Sequence, residues 1–141
     1  MQRLLKAKLL FFLPALIYTG IILYLSLINL ADTPVSSLGM SDKLMHSGAY
    51  FGLGLLWMLF GIFSFPEKYL LKLIIIISAA SVAFGIFIEV LQDTMTTYRQ
   101  LDIYDVLANT IGVLTAAFVV WGLKNFLISL KTKFNLDLMK K

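Results

Sequence analysis

The feature that most constrains this chain is a series of four long apolar blocks. A bilayer core about 30 Å thick is spanned by about 20 helical residues. Four blocks meet or approach that length, and they predict transmembrane helices over residues 9–30, 44–65, 69–91 and 106–123. The sequence therefore predicts an all-α, polytopic membrane protein with a single domain, residues 1–141.

Composition favours the same class of protein. The chain is 60% hydrophobic and 14% charged, whereas about a quarter of the residues are charged in a soluble domain. The chain has no cysteine, which excludes disulfide scaffolds and thiolate metal sites. The net charge of +4 comes from basic residues beside the apolar blocks, so we expect membrane lipids as partners and no nucleic-acid binding.

The distribution of basic residues predicts the orientation of the helices. One side of the membrane would carry Arg3, Lys6, Lys8, Lys68, Lys72, Lys124, Lys131, Lys133, Lys140 and Lys141. The other side would carry Lys43 and Arg99, together with several aspartates. Because positive residues remain cytoplasmic, we predict a multi-pass protein of the bacterial cytoplasmic (inner) membrane with both termini inside. An amphipathic tail, residues 124–141, would lie along the cytoplasmic interface.

Polar side chains are concentrated at the predicted extracytoplasmic ends of the second, third and fourth helices. Spacings of three or four residues place them on one face of each helix. The three sets are Asp42, His46 and Tyr50; Glu89 and Gln92; and Asp102, Asp105 and Asn109. A charged side chain in hydrocarbon costs at least about 2.5–3.5 kcal/mol. We therefore expect the three sets to face one another around an outward-facing polar pocket.

Two helix starts carry side chains that favour N-caps. Ser41 precedes the second helix and Asp105 precedes the fourth. Both residue types accept hydrogen bonds from the first free backbone N–H groups of a helix. We predict both residues to be N-caps.

In order along the chain, these polar residues form a composite motif that resembles the VanZ-like family. The matching segments are Asp42-Lys43-x-x-His46, Glu89-x-x-Gln92, Arg99-x-x-Asp102 and Asp105-Val106-x-Ala108-Asn109-x-x-Gly112. Each segment alone is a weak signal, but their combination is specific and covers nearly the whole chain. The resemblance implies a small bacterial membrane protein with a cell-envelope role, such as an effect on susceptibility to teicoplanin-type glycopeptides. It implies no particular reaction.

The residue types suggest two chemical roles. His46, Glu89 and Asp102 are candidate catalytic, proton-transfer groups, because a histidine–carboxylate pair exchanges protons near neutral pH. Lys43 and Arg99 are candidate anion- or headgroup-binding residues, since arginine binds phosphate bidentately and lysine binds it as a point charge. Each role has a structural alternative: His46 would bridge helices, and the two cations would pair with aspartates.

The remaining polar residues would support the cluster. They are Asp42, Tyr50, Gln92, Asp105 and Asn109. No compact metal motif such as H-E-x-x-H is present in the sequence, so we expect no metal or other cofactor. A divalent cation held by His46 and neighbouring carboxylates is the less favoured alternative.

Two functions of different class stay open at this point. The first is a protein, with or without enzymatic activity, that binds or acts on an anionic lipid headgroup or a lipid-linked envelope precursor from the outer face. The second is a non-catalytic membrane scaffold or interaction protein whose polar cluster is structural. A transporter is a weaker third, because four helices offer little room for alternating access.

Overall fold

The computed structural model of the chain describes residues 2–28, 41–97 and 100–140, with the side chains of residues 8–28, 41–97 and 100–135. These residues form helices and connecting turns, with no β-strand among them. The helices are α1 (Gln2–Leu27), α2 (Asp42–Ser64), α3 (Leu70–Met95), α4 (Ile103–Gly122) and α5 (Lys124–Lys140). A single 3₁₀ turn, Glu67–Tyr69, joins α2 to α3.

Four helical segments are long and apolar enough to cross a membrane, which confirms the prediction of an all-α protein with four candidate spans. The segments are Lys8–Leu27, Asp42–Ser64, Glu67–Met95 and Ile103–Gly122. Their outer faces expose large apolar side chains, such as Phe118 at 79% and Ile17 at 60%. A monomeric soluble protein rarely exposes apolar surface on this scale, so hydrocarbon is the natural solvent of these faces.

Local chemistry accounts for the start and end of α2. Ser41 is the N-cap, as predicted, and its hydroxyl accepts a hydrogen bond from the Leu44 N–H at 3.3 Å. At the other end, Phe65 has extended backbone geometry, because the proline ring at Pro66 disfavours helical geometry in the preceding residue.

The start of α4 differs from the prediction. The N-cap is Asp102, whose carboxylate accepts from the Tyr104 N–H at 2.8 Å. The prediction that Asp105 is the N-cap was wrong. Asp105 lies inside the first helical turn, where its negative charge is still favoured by the helix dipole.

The second helix is the centre of the bundle. It packs against α1, α3, α4 and α5, and its longest interface is with α4. Gly112 permits the close approach of α2 and α4, since a Cβ at this position would lie 2.1 Å from the Ser47 carbonyl oxygen. By contrast, α1 touches α3 over only a few residues.

The tail forms α5 and packs partly against the bundle. Leu127 joins the buried core near Met58 and Val120. Lys131 donates a hydrogen bond to the Phe65 carbonyl at 2.5 Å, and the Phe134 ring makes edge contacts with other aromatic rings nearby. These contacts hold α5 at the end of the bundle that lies opposite the site described next.

Candidate functional site

The start of α2, the end of α3 and the start of α4 meet at one end of the bundle. Lys43 of α2 forms ion pairs with Asp102, at 2.5 Å, and with Asp105. His46 Nδ1 lies 3.2 Å from Asn109 Oδ1 on α4 and 3.9 Å from Glu89 Oε1 on α3. We call this group the polar cluster; its members are Asp42, Lys43, His46, Tyr50, Glu89, Asp102, Asp105 and Asn109.

Lys43 connects an exposed and a buried carboxylate. The Asp102 side chain is 39% exposed and the Asp105 side chain is 8% exposed, while that of Lys43 is 43% exposed. The hydrogen bond from Lys43 holds the pKa of the Asp102 carboxyl below its usual value, and the Tyr104 backbone N–H acts in the same direction. Asp102 is therefore the accessible half of this arrangement, and Asp105 is the buried half.

His46 has two different environments at its two ring nitrogens. Because an amide oxygen can only accept a hydrogen bond, the contact with Asn109 Oδ1 places the proton of a neutral ring on Nδ1. The other nitrogen, Nε2, then carries a lone pair and faces Asp42 Oδ1 at 3.8 Å and Asp105 Oδ2 at 3.7 Å. Nε2 is therefore the ring atom that can accept a proton, and two carboxylates lie beside it.

The deeper part of the polar cluster is almost fully buried. Glu89 and Asn109 are each 1% exposed, and Tyr50 is 2% exposed. They pack around Gly85, where an added Cβ would lie 3.0 Å from the Tyr50 ring and 3.3 Å from Asn109 Nδ2. Among the described residues, no hydrogen-bond partner is found for the Tyr50 hydroxyl or for Asn109 Nδ2. Two buried donors are thus available to an acceptor oxygen.

The described polar cluster contains more carboxyl groups than basic side chains. Its four carboxylates oppose one lysine, and His46 adds a positive charge only when it is protonated. Asp42, His46 and Asp105 each place one ligand atom within 4.8 Å of the other two. This spacing is compatible with a small divalent cation, although Lys43 already binds the other oxygen of Asp105.

The structure places the predicted site residues in separate groups of contacts. His46 and Glu89 lie together, whereas Asp102 lies with Lys43. Gln92 is 1% exposed, and its Nε2 donates to the Ser26 carbonyl of α1 at 2.9 Å, so it ties α3 to α1. The predicted anion ligand Arg99 lies outside the described residues.

Sequence reasoning missed an apolar groove below the polar cluster. It has a volume of about 290 Å³ and lies between α1, α2 and α3. Its lining residues are Thr19, Leu53, Trp57, Ile76, Ile77, Ala80, Ser81 and Phe84. The Phe84 ring packs against the Tyr50 ring, with centroids 6.4 Å apart, so the groove begins where the polar cluster ends.

Comparisons with protein-family models, curated proteins and solved structures found no match to the chain. The VanZ-like resemblance therefore remains a prediction based on the motif residues.

Proposed function

We propose that this chain is a multi-pass protein of the bacterial inner membrane that binds the headgroup of an anionic lipid, or of a lipid-linked envelope precursor, at the polar cluster. Support comes from the position of polar side chains at the same end of three apolar helices. The motif resemblance to VanZ-like proteins supports a cell-envelope role, including an effect on teicoplanin-type susceptibility.

The proposal includes an orientation with both termini in the cytoplasm and the polar cluster at the outer surface. The basic residues of the chain support it through the positive-inside rule. Because the chain has no cysteine, single cysteines at Ser37 and Lys68 can be labelled with a membrane-impermeant thiol reagent in intact cells. Labelling of the first position alone is expected, and labelling of Lys68→Cys from outside would reverse the orientation.

The observation that carries the proposal is the partly exposed ion pair between Lys43 and Asp102. This contact is exposed enough for exchange, whereas Asp105 remains fixed below. An anionic headgroup would replace Asp102 as the outer ligand of Lys43. The buried donors of Tyr50 and Asn109 would serve acceptor oxygens that reach deeper. Proton transfer, where it takes place, would use His46 Nε2.

This exchange predicts that removing Asp102 and removing Lys43 have opposite effects on lipid affinity. Asp102→Asn removes the competing anion and should tighten binding of a fluorescent phosphatidylglycerol to the purified protein by up to about fivefold, the upper limit for an exposed ion pair. Removal of the lysine should weaken binding. Since Lys43→Met alone would leave Asp105 as a buried unpaired charge, the test uses Lys43→Met combined with Asp105→Asn.

The scaffold function has an observation of its own in its favour: the contacts of Lys43 and His46 with α4 join the two helices that share the longest interface. The same variants separate the two functions. A structural role alone would lower the melting temperature of both variants and leave lipid affinity unchanged. Opposite shifts in lipid affinity with little change in melting would support headgroup binding.

A further inference from the structure

We propose that the apolar groove between α1, α2 and α3 holds one acyl chain of the same anionic lipid whose headgroup occupies the polar cluster. This inference rests on the headgroup-binding function proposed above. It adds the class of ligand: a glycerophospholipid bound by both its headgroup and one of its chains.

The axial positions of the lining residues match such a ligand. With a rise of about 1.5 Å per residue, Phe84 lies about 7.5 Å below Glu89 on α3, and Ile76 lies about 20 Å below it. On α2, Leu53 and Trp57 lie about 10 and 16 Å below His46 by the same rise. The groove thus starts between one and two helical turns below the polar cluster and continues toward the middle of the membrane.

The lining presents apolar surface even where its residues are polar. Trp57 Nε1 donates to Thr19 Oγ1 at 3.0 Å, and Thr19 Oγ1 donates to the Ala15 carbonyl at 2.7 Å. Both groups are therefore satisfied inside the protein and need nothing from an occupant. A hydrocarbon chain in the groove would therefore leave neither the Trp57 indole nor the Thr19 hydroxyl unpaired.

The size and surroundings of the groove favour a chain over a helix. Next to the groove, α3 exposes Ile75 at 59% and Ile76 at 52%, so the opening faces the bilayer hydrocarbon. A helix of a second copy, about 10–12 Å in diameter with its side chains, does not fit into a volume of about 290 Å³. A single hydrocarbon chain is narrower than a helix and can enter a groove of this size.

Trp57 provides an intrinsic probe of the groove, because the chain has two tryptophans and the other, Trp121, lies outside the lining. The test uses the Trp121→Phe protein in phosphatidylcholine vesicles that contain a small fraction of one chain-brominated lipid. Bromine quenches tryptophan fluorescence on contact. Brominated phosphatidylglycerol is expected to quench Trp57 more than the same fraction of brominated phosphatidylcholine, because the headgroup selects which lipid delivers its chain.

Two neighbouring alanines of α3 supply a matched pair of variants. Ala80→Phe fills the groove and should abolish the excess quenching by phosphatidylglycerol. Ala79→Phe adds the same ring at an exposed position outside the lining and should retain the excess. Equal excess quenching in both variants, or equal quenching by the two lipids, would overturn the inference. The inference would also be wrong if an unlabelled polyprenyl phosphate displaced the brominated lipid and unlabelled phosphatidylglycerol did not.

Failure of this inference is distinguishable from failure of the proposed function. If phosphatidylglycerol binding still depends on Lys43 and Asp102 while Trp57 shows no lipid preference, the groove assignment is wrong and headgroup binding stands. If neither measurement shows a preference, both are wrong.

Discussion

Gly112 provides the sharpest test of the packing on which the polar cluster depends. An alanine Cβ at this position would lie 2.1 Å from the Ser47 carbonyl oxygen, whereas ordinary contacts begin at 3.4 Å, so α2 and α4 would have to separate by roughly 1.3 Å. The obstacle is backbone, which cannot rotate away. Gly112 lies three residues after Asn109, so the same shift would lengthen the 3.2 Å contact between Asn109 and His46 beyond hydrogen-bond range.

The expected loss of stability follows from these two effects. Overpacking costs about 1–3 kcal/mol, and a lost hydrogen bond adds about 0.5–1.5 kcal/mol. Gly112→Ala should therefore lower the free energy of unfolding by about 1.5–4.5 kcal/mol in total. Reversible unfolding in mixed micelles with increasing sodium dodecyl sulfate, followed by circular dichroism, measures this quantity.

Gly48→Ala is the matched control on the facing helix. A Cβ at this position would have no heavy atom within 4 Å apart from its own helix and chain neighbours, so its effect should stay within the helix propensity difference of about 1 kcal/mol. If Gly112→Ala falls within about 0.5 kcal/mol of this control, the size of an ordinary surface substitution, the two helices do not touch as described.

Three further changes test individual contacts. The ion pair with Lys43 lowers the pKa of Asp102, so its stabilisation is present above the usual carboxyl pKa of about 3.9 and is lost as pH falls through the lower folded value. Asp102→Asn should therefore flatten the acid limb of a melting-temperature profile, and an unchanged limb would contradict this. Gln92→Met should lower the free energy of unfolding by about 1–3 kcal/mol, because the Ser26 carbonyl at the end of α1 loses its donor; an unaltered value would mean that water replaces the amide. Tyr50→Phe removes a buried hydroxyl without a described partner and should raise the free energy of unfolding by about 1 kcal/mol. A decrease after this last change would show that the hydroxyl is hydrogen-bonded.

The candidate membrane spans could be predicted from the sequence because the length of an apolar block and the thickness of a bilayer are compared directly. The N-cap of α2 could also be predicted from the local sequence, because Ser41 lies directly before that helix and has a side chain that accepts hydrogen bonds from backbone N–H groups. At α4, by contrast, Asp102 and Asp105 have the same chemistry and lie three residues apart. The structure uses Asp102 as the cap, while Asp105 meets Lys43 of another helix, and no local pattern contains that contact.

The site residues show a similar division between local and tertiary information. Spacing placed Glu89 and Gln92 on one face, but three residues along a helix still differ by about 60° around its axis. That angle is enough for Gln92 to bond to α1 while Glu89 lies near His46. The groove could not be predicted, because it depends on the tertiary packing of α1. This helix packs mainly against α2 and makes few contacts with α3.

The pairing of α2 with α4 has a consequence for synthesis in the cell. The contacts from Lys43 and His46 to α4 join residues 59 to 63 positions apart. At about 5–20 residues per second, a ribosome needs roughly 3–12 s to deliver α4 after the first turn of α2 has emerged. During that interval Lys43 and His46 lack their α4 partners, so we expect the first turn of α2 to stay in contact with water or with the insertion machinery. Release into the lipid phase would then follow the arrival of α4.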